Sequence, residues 1–204
     1  MNAFVEGLEQ YFSGEQLERI RRVKVGIAGA GGLGSNCAFN LVRSGFGDFV
    51  ICDFDIVEPS NLNRQFYFLD QTGKPKVEML TENLLRINPD IKIDTRIIKL
   101  DSSNIKDVYR GCDIVVEAFD KADAKKMIAE AWAGKVKLFV SASGLAGYGN
   151  SEGIKTRKVR DGFYIVGDGV SEATSQRPPC SPRVNIAAAK MADLILEWVL
   201  NGQT

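Results

Sequence analysis

The sequence contains no histidine in 204 residues, which removes every mechanism that rests on an imidazole base or an imidazole metal ligand. Carboxylate, lysine, arginine and cysteine chemistry remain. Only four cysteines occur, Cys37, Cys52, Cys112 and Cys180, and no two of them form a C-x-x-C pair. Neither a disulfide framework nor a structural zinc site is therefore expected. Cys37 and Cys52 fall among apolar neighbours and read as small buried residues. Neither sign of charge is in excess: 26 basic side chains balance 26 acidic ones, so no global field draws the chain to nucleic acid or to an anionic membrane. No apolar run approaches the length of a bilayer span. The opening residues, Met1-Asn2-Ala3-Phe4-Val5-Glu6, lack the basic and apolar blocks of a signal peptide, and a cytoplasmic location is expected. No internal repeat or long linker divides the chain, so residues 1–204 are expected to form one domain.

What is present begins with Val25-Gly26-Ile27-Ala28-Gly29-Ala30-Gly31-Gly32-Leu33-Gly34, an apolar strand that runs into a glycine turn and opens a helix. Gly29 permits the tight turn, Gly31 lets a phosphate approach the backbone, and Gly34 allows close helix-on-strand packing. A helix starting near Leu33 aims unpaired N–H groups and its positive dipole end at a bound anion. Asp53 closes the next apolar run at the offset where such folds place a carboxylate on a ribose hydroxyl. These features point to a bound nucleotide and leave NAD and ATP both open.

Strands are predicted near 23–28, 48–53, 91–97, 113–118 and 136–142, with helices near 33–45, 74–87, 121–133 and 184–200. This alternation is that of an α/β, Rossmann-like, doubly wound and mostly parallel sheet. Two short helices are expected within 4–22, the second capped by Ser13, ahead of a core over 23–143. In the remainder, 144–204, segments 154–159 and 163–166 read as an antiparallel hairpin turned at Arg160-Asp161-Gly162. The final helix carries Ile186, Ala189, Ala192, Leu194, Ile195, Trp198 and Val199 as an apolar surface. On the glycine-turn helix, Ala38, Leu41 and Val42 read as core.

A second constellation separates the nucleotides. Asp53-Phe54-Asp55-Ile56-Val57-Glu58-Pro59-Ser60-Asn61-Leu62-Asn63-Arg64-Gln65 is followed by Gly73-Lys74-Pro75-Lys76. A dehydrogenase has no need for Arg64 and Lys76 to converge after the ribose-binding strand. Charge builds on the α-phosphate and the departing pyrophosphate during adenylyl transfer, and fixed cations there stabilise the transition state. The alternative for both residues is a solvated surface charge. Asp120 ends the fourth strand and has two readings, a phosphate or metal contact and an N-cap for the helix near Ala122. Cys180 lies in Arg177-Pro178-Pro179-Cys180-Ser181-Pro182-Arg183, a stretch expected to form an exposed loop. There it is either a thiol favoured as thiolate by Arg177 and Arg183 or an incidental loop cysteine.

Together, the glycine turn, the D-F-D-x-V-x-x-S-N-L-N-R-Q block, Gly73-Lys74-Pro75-Lys76-Val77-Glu78 and Glu117-Ala118-Phe119-Asp120 resemble the ThiF/MoeB family of the ubiquitin-activating superfamily. Ser143-Gly144-Leu145-Ala146-Gly147-Tyr148-Gly149, Ile165-Val166-Gly167-Asp168-Gly169 and Pro182-Arg183-Val184 are similar to its short branch, often called family 2. The resemblance spans residues 8 to 200 and implies ATP-dependent adenylylation of the C-terminal glycine of a small ThiS-like sulfur carrier, in thiamine biosynthesis, by a homodimer. It implies that Gly29, Gly31, Gly32 and Gly34 hold phosphates and that Asp53 accepts from the ribose. Asn61, Arg64, Gln65 and Lys76 would contact the triphosphate and Asp120 would place Mg²⁺, while Asp55 matches the motif without a clear role. Cys180 stands where relatives carry a thiol on a loop crossing the carrier's tail, and Arg19, Arg21 or Arg22 corresponds to an arginine that reaches a partner's ATP. Lys121 departs from the family's asparagine. A hydride-transferring oxidoreductase, a non-catalytic carrier-binding module and adenylation of a tRNA base or another carboxylate are the alternatives on the same fold.

Overall fold

The computed structural model describes residues 2–202; Met1, Gln203 and Thr204, the ends of the expected domain, lie outside them. Seven strands form one sheet: β1 Lys24–Ala28, β2 Asp48–Cys52, β3 Lys92–Arg96, β4 Ile114–Glu117, β5 Leu138–Ala142, β6 Lys155–Arg160 and β7 Phe163–Gly167. Their order is β3-β2-β1-β4-β5-β7-β6, parallel throughout except for the β6/β7 pair. The helices are α1 Ala3–Leu8, α2 Gly14–Arg21, α3 Gly32–Arg43, α4 Lys76–Leu85, α5 Ile105–Val108, α6 Ala122–Trp132 and α7 Ser181–Leu200.

Side-chain alternation along the strands explains the layering. Val25, Ile27, Phe49, Ile51, Ile114, Val116, Leu138 and Val140 pack with α2, α3, α4 and α7, whereas Ala28, Val50, Cys52, Val115 and Phe139 pack with α5 and α6. Both faces are apolar and both are covered, as a parallel sheet requires. Gly26 makes room for the Tyr109 ring, since a Cβ there would meet Tyr109 Cδ1 at 2.4 Å. The outer strand β6 is exposed along its length. Its Lys155, Arg157, Lys158 and Arg160 blunt that edge against pairing with another chain.

The expected hairpin forms across Asp161-Gly162, and Ser13 caps α2 in a reciprocal capping box with Gln16. Ala38, Leu41 and Val42 are fully buried in the core. Burial pushes the Cys37 and Cys112 thiols up to about 12 and Cys52 up to about 11, which makes all three inert.

Four local expectations change. The helix expected from 74 begins at Lys76, because Pro75 forces the preceding residue out of helical geometry. The last helix begins three residues earlier than expected, at Ser181, with Pro182 in its first turn, where a missing N–H is harmless. Ala189 is exposed; the buried face of α7 uses Val184, Ala187, Ala188, Met191, Ala192, Ile195, Trp198 and Val199. Finally, α6 is N-capped by Lys121 without a side-chain cap, so Asp120 does not cap it.

The sheet order reverses between β1 and β4, and the crevice at that switch point is where open α/β folds bind ligands. Its geometry depends on contact between the two ends of the glycine turn: a Cβ on Gly34 would lie 1.8 Å from the Gly29 carbonyl oxygen. Gly34→Ala should lower stability by about 3 kcal/mol in a urea titration. Gly7→Ala, in α1 with open space around it, should raise it by about 0.5–1 kcal/mol.

Candidate functional site

The glycine turn leaves β1 with Gly29 at φ +98°, a conformation that favours glycine. Gly31 N-caps α3 and no side chain caps that helix. The first N–H groups of α3 are thus left for an external acceptor. A Cβ on Gly31 would meet nothing nearer than Gln65 Nε2 at 3.9 Å, so space is open over the turn.

Polar side chains hold this loop from below. Asp53 accepts the Ala30 N–H on Oδ2 (2.6 Å) and the Asp55 N–H on Oδ1 (2.9 Å). Tyr67, 6% exposed, donates its hydroxyl to the Ala30 carbonyl at 2.7 Å. Two further bonds tie the 61–67 segment to α3. Asn36 Nδ2 donates to the Arg64 carbonyl (2.8 Å), and the Ser35 hydroxyl accepts the Phe66 N–H (3.0 Å). These bonds bring Arg64 and Gln65 to the turn, although they are about thirty residues away in sequence.

Lys76 is not a solvated surface charge. It is 6% exposed, and its Nζ lies 2.9 Å from Asp55 Oδ2. A continuous polar chain therefore runs from Ala30 through Asp53 and Asp55 to Lys76, in which Asp55 is the ion-pair partner of Lys76. Arg64 is half-buried; its guanidinium donates to the Ser60 carbonyl (3.1 Å) and to Asn63 Oδ1 (2.7 Å). Asn61 turns inward and accepts the Glu58 N–H at 3.1 Å. Gln65 is buried with its Oε1 unpartnered, and a buried acceptor left open costs stability unless something donates to it.

Across the crevice, Gly29 faces the Ala118 carbonyl, and Asp120 stands exposed just beyond. Among the described residues its carboxylate accepts no hydrogen bond and forms no ion pair. The backbone that carries it is braced by Glu117, which is fully buried. Glu117 accepts from the Phe119 N–H (2.7 Å), from Lys125 Nζ (3.0 and 3.1 Å) and from the Ser141 hydroxyl.

The C-terminal segments close the remaining side. Cys180 N-caps α7, half-buried, with its Sγ 3.6 Å from the Pro178 carbonyl. The neighbouring Pro179 carbonyl accepts from Asn63 Nδ2 at 3.4 Å, which ties the start of α7 to the segment that carries Arg64. One turn into α7, Arg183 forms a buried ion pair with Asp168 (2.6 Å) and donates to the carbonyls of Gly149 (2.6 Å) and Asn150 (3.1 Å). Arg19 instead donates to the Leu200 carbonyl at the far end of α7. It and its neighbours Arg21 and Arg22 precede β1, at the opposite end of the sheet from their own chain's glycine turn.

The sequence model of the ThiF family matches residues 7–199. The chain belongs to the ThiF family. Among its relatives, a SAMP-activating enzyme E1 of Haloferax volcanii is 35% identical over 111 residues, covering 54% of this chain and 41% of that protein. A sulfur carrier protein adenylyltransferase of Thermus thermophilus is 34% identical over 118 residues, covering 57% and 44% respectively. This chain spans less than half the length of these relatives. Among solved structures, E. coli tRNA N6-threonylcarbamoyladenosine dehydratase, TcdA, superimposes with a TM-score of 0.85 at 19% identity, over 96% of this chain and 93% of that one. At that identity the likeness speaks to the ThiF-like fold alone. Among the described residues no helix is long and apolar enough to cross a membrane.

Of the residues the motifs marked, hydrogen bonds tie Asp53 to the glycine turn, the Arg64 backbone to α3 and Lys76 to Asp55, whereas Asp120 makes no side-chain contact with them. They gave no role to Tyr67, Ser35 or Asn36, or to the Glu117–Lys125 and Asp168–Arg183 pairs. Glu117, Asp168 and Arg183 stand inside motifs already noted, and a charged residue within an apolar strand end was the available signal for the first. Burial opposes ionisation of Asp168, but N–H groups of Ser171 and Val170, the Ser171 hydroxyl and Arg183 outweigh it and hold the carboxyl below its ordinary range. A carboxyl depressed on folding gives stability that is complete above its unfolded value of about 3.9 and is lost as pH falls through the folded value. Asp168→Asn should therefore be less stable at neutral pH and lose less stability on acidification below about pH 4, measured by tryptophan fluorescence. Arg183→Met, which strands the buried carboxylate, should cost about 3–5 kcal/mol.

Proposed function

We propose that this protein is an ATP-dependent adenylyltransferase that activates the C-terminal glycine carboxylate of a small ubiquitin-like sulfur carrier. The observation that carries this reading is the buried Lys76, linked through Asp55 and Asp53 to an uncapped glycine turn. A cation taken out of water and paired with the segment that braces the glycine turn suits a triphosphate far better than a nicotinamide dinucleotide. The names of relatives that act on carriers agree with it, and a ThiS-like carrier of thiamine biosynthesis is the partner we infer.

The residues fit ATP. Gly31, Gly32 and Gly34 would receive phosphate oxygens on backbone N–H groups, Arg64 and Lys76 would balance the triphosphate charge, and the unpartnered Gln65 Oε1 would accept from the nucleotide. Asn61 supports the Arg64 segment from inside. Asp53 already holds the turn through Ala30, and its remaining lone pairs are the acceptors for a ribose hydroxyl. Asp120 suits Mg²⁺ because that ion is commonly held by one or two carboxylates together with substrate phosphates. No cluster of three or more acidic or sulfur ligands occurs among the described residues.

In the reaction the carrier's carboxylate oxygen attacks the α-phosphorus, the bond to the pyrophosphate oxygen breaks, and an acyl-adenylate and pyrophosphate result. The attacking carboxylate is ionised near neutral pH, so no general base is needed, in keeping with a chain that lacks histidine. Arg64 and Lys76 then stabilise charge that grows on the leaving group. The Cys180 thiol attacks the acyl carbonyl carbon, gives up its proton to solvent, forms a thioester and releases AMP. One unit over residues 1–204, acting as a homodimer with the carrier against the hairpin side, completes the proposal.

With Mg²⁺ and a ThiS-like carrier ending in Gly-Gly, the protein should catalyse pyrophosphate–ATP exchange. Arg64→Ala and Lys76→Ala should each reduce the exchange rate by about 100-fold or more. Cys180→Ser should retain exchange but lose a thiol-sensitive carrier adduct on non-reducing gels. Absence of exchange with every Gly-Gly carrier tested, or preferential binding of NAD over ATP, would reject the reading.

A further inference from the structure

We propose that Tyr67 is a positioning residue that aims the Gly31 N–H into the nucleotide crevice by holding the Ala30 carbonyl from beneath, an inference that rests on the ATP-binding reading above. Ala30 is clamped on both sides. Its N–H donates to Asp53 Oδ2 at 2.6 Å, and its carbonyl accepts the Tyr67 hydroxyl at 2.7 Å. The Ala30 carbonyl and the Gly31 N–H belong to one planar peptide unit, and the chain contains no cis peptide bond among the described residues. In a trans peptide the two groups point in opposite directions, so a carbonyl fixed toward the buried phenol fixes the N–H toward the open side of the turn. Gly31 is half-exposed, and among the described residues its N–H has no acceptor.

Glycine makes such a clamp necessary. A Gly-Ala-Gly-Gly turn has freedom at three of its four residues, so peptide orientation must be imposed by something outside the turn. The phenol ring is packed in the main core below the turn, which fixes where its hydroxyl stands. Burial above all, with the carboxylates of Asp53 and Asp55 adding, holds that phenol well above its ordinary range, so the hydroxyl stays protonated and donating. A carbonyl that rotated toward the crevice would present a partial negative charge where phosphate binds. Tyr67 prevents that rotation at no cost in charge.

Tyr67→Phe removes the hydroxyl and keeps the ring. By calorimetry with ATP, and with adenosine as a ligand without phosphate, the variant should bind ATP about five- to tenfold more weakly and bind adenosine as the wild type does. Equal ATP affinity, or an equal loss for ATP and adenosine, would overturn the assignment. If wild-type protein binds no ATP, the parent reading itself fails, a result distinct from either of these. A second measurement needs no variant: in ¹⁵N-labelled wild-type protein, the Gly31 amide proton should shift downfield when pyrophosphate is added. Pyrophosphate binding that leaves the Gly31 amide unmoved would also overturn the assignment.

Discussion

A glycine turn that accepts an anion must be bare on one side and held on the other, and the remainder of this structure depends on how that conflict is resolved. Side chains within the turn would fill the space over Gly31, so the turn cannot stabilise itself. The holding groups come instead from β2 and the segment after it: Asp53 from the strand end, Tyr67, and the backbone of Arg64 and Phe66 bonded to Asn36 and Ser35. Each of these bonds is local in space and distant in sequence. Together they couple the glycine turn to the segment that carries Arg64 and to the Asp55–Lys76 pair.

Buried charge serves a similar purpose on the other side of the crevice. Glu117 with Lys125 secures the end of β4, and Asp168 with Arg183 secures the loops that run into α7. Neither pair is expected to add much stability over an apolar replacement, because desolvation offsets most of the Coulombic gain. Their value lies in direction. Arg183 gathers two loop carbonyls and a carboxylate around one guanidinium, which places the start of α7, and Cys180 with it, beside Asn63. Gly144 and Gly167 record how closely these loops approach: a Cβ on either would meet Asp168 or the Ser143 carbonyl at 2.0 or 1.7 Å.

Most of the fold was legible because both periodicities were clean. Strands β1, β2, β4 and β5 read as continuous apolar runs, which buried parallel strands demand, and the Ser13 cap and Asp161-Gly162 turn are set by local chemistry. Other features were settled only by exact helix starts or by partners distant in sequence. Asp120 had the right residue type for an N-cap, but the helix starts one residue too late for it to serve. For Lys76 a solvated surface charge stood as the alternative to the convergence the motif suggested, and its burial against Asp55 depends on contact between the segment after β2 and α4. A single tyrosine in an apolar-aromatic run has no periodic signature, and the Tyr67 hydroxyl acquires meaning only from the carbonyl above it.

The order of residues by itself determined that a strand would run into a bare glycine turn, that acidic and basic groups would follow the second strand, and that no imidazole or paired-cysteine chemistry was available. These follow from backbone sterics and side-chain type, which act over a few residues. Tertiary structure alone decided which charges are withdrawn from water and which carboxylate braces the turn. It also decided that Cys180 heads a helix beside Asn63 rather than standing in an open loop. Those outcomes depend on desolvation and on hydrogen-bond geometry between segments from 15 to more than 100 residues apart, and such distances close only once the sheet has assembled.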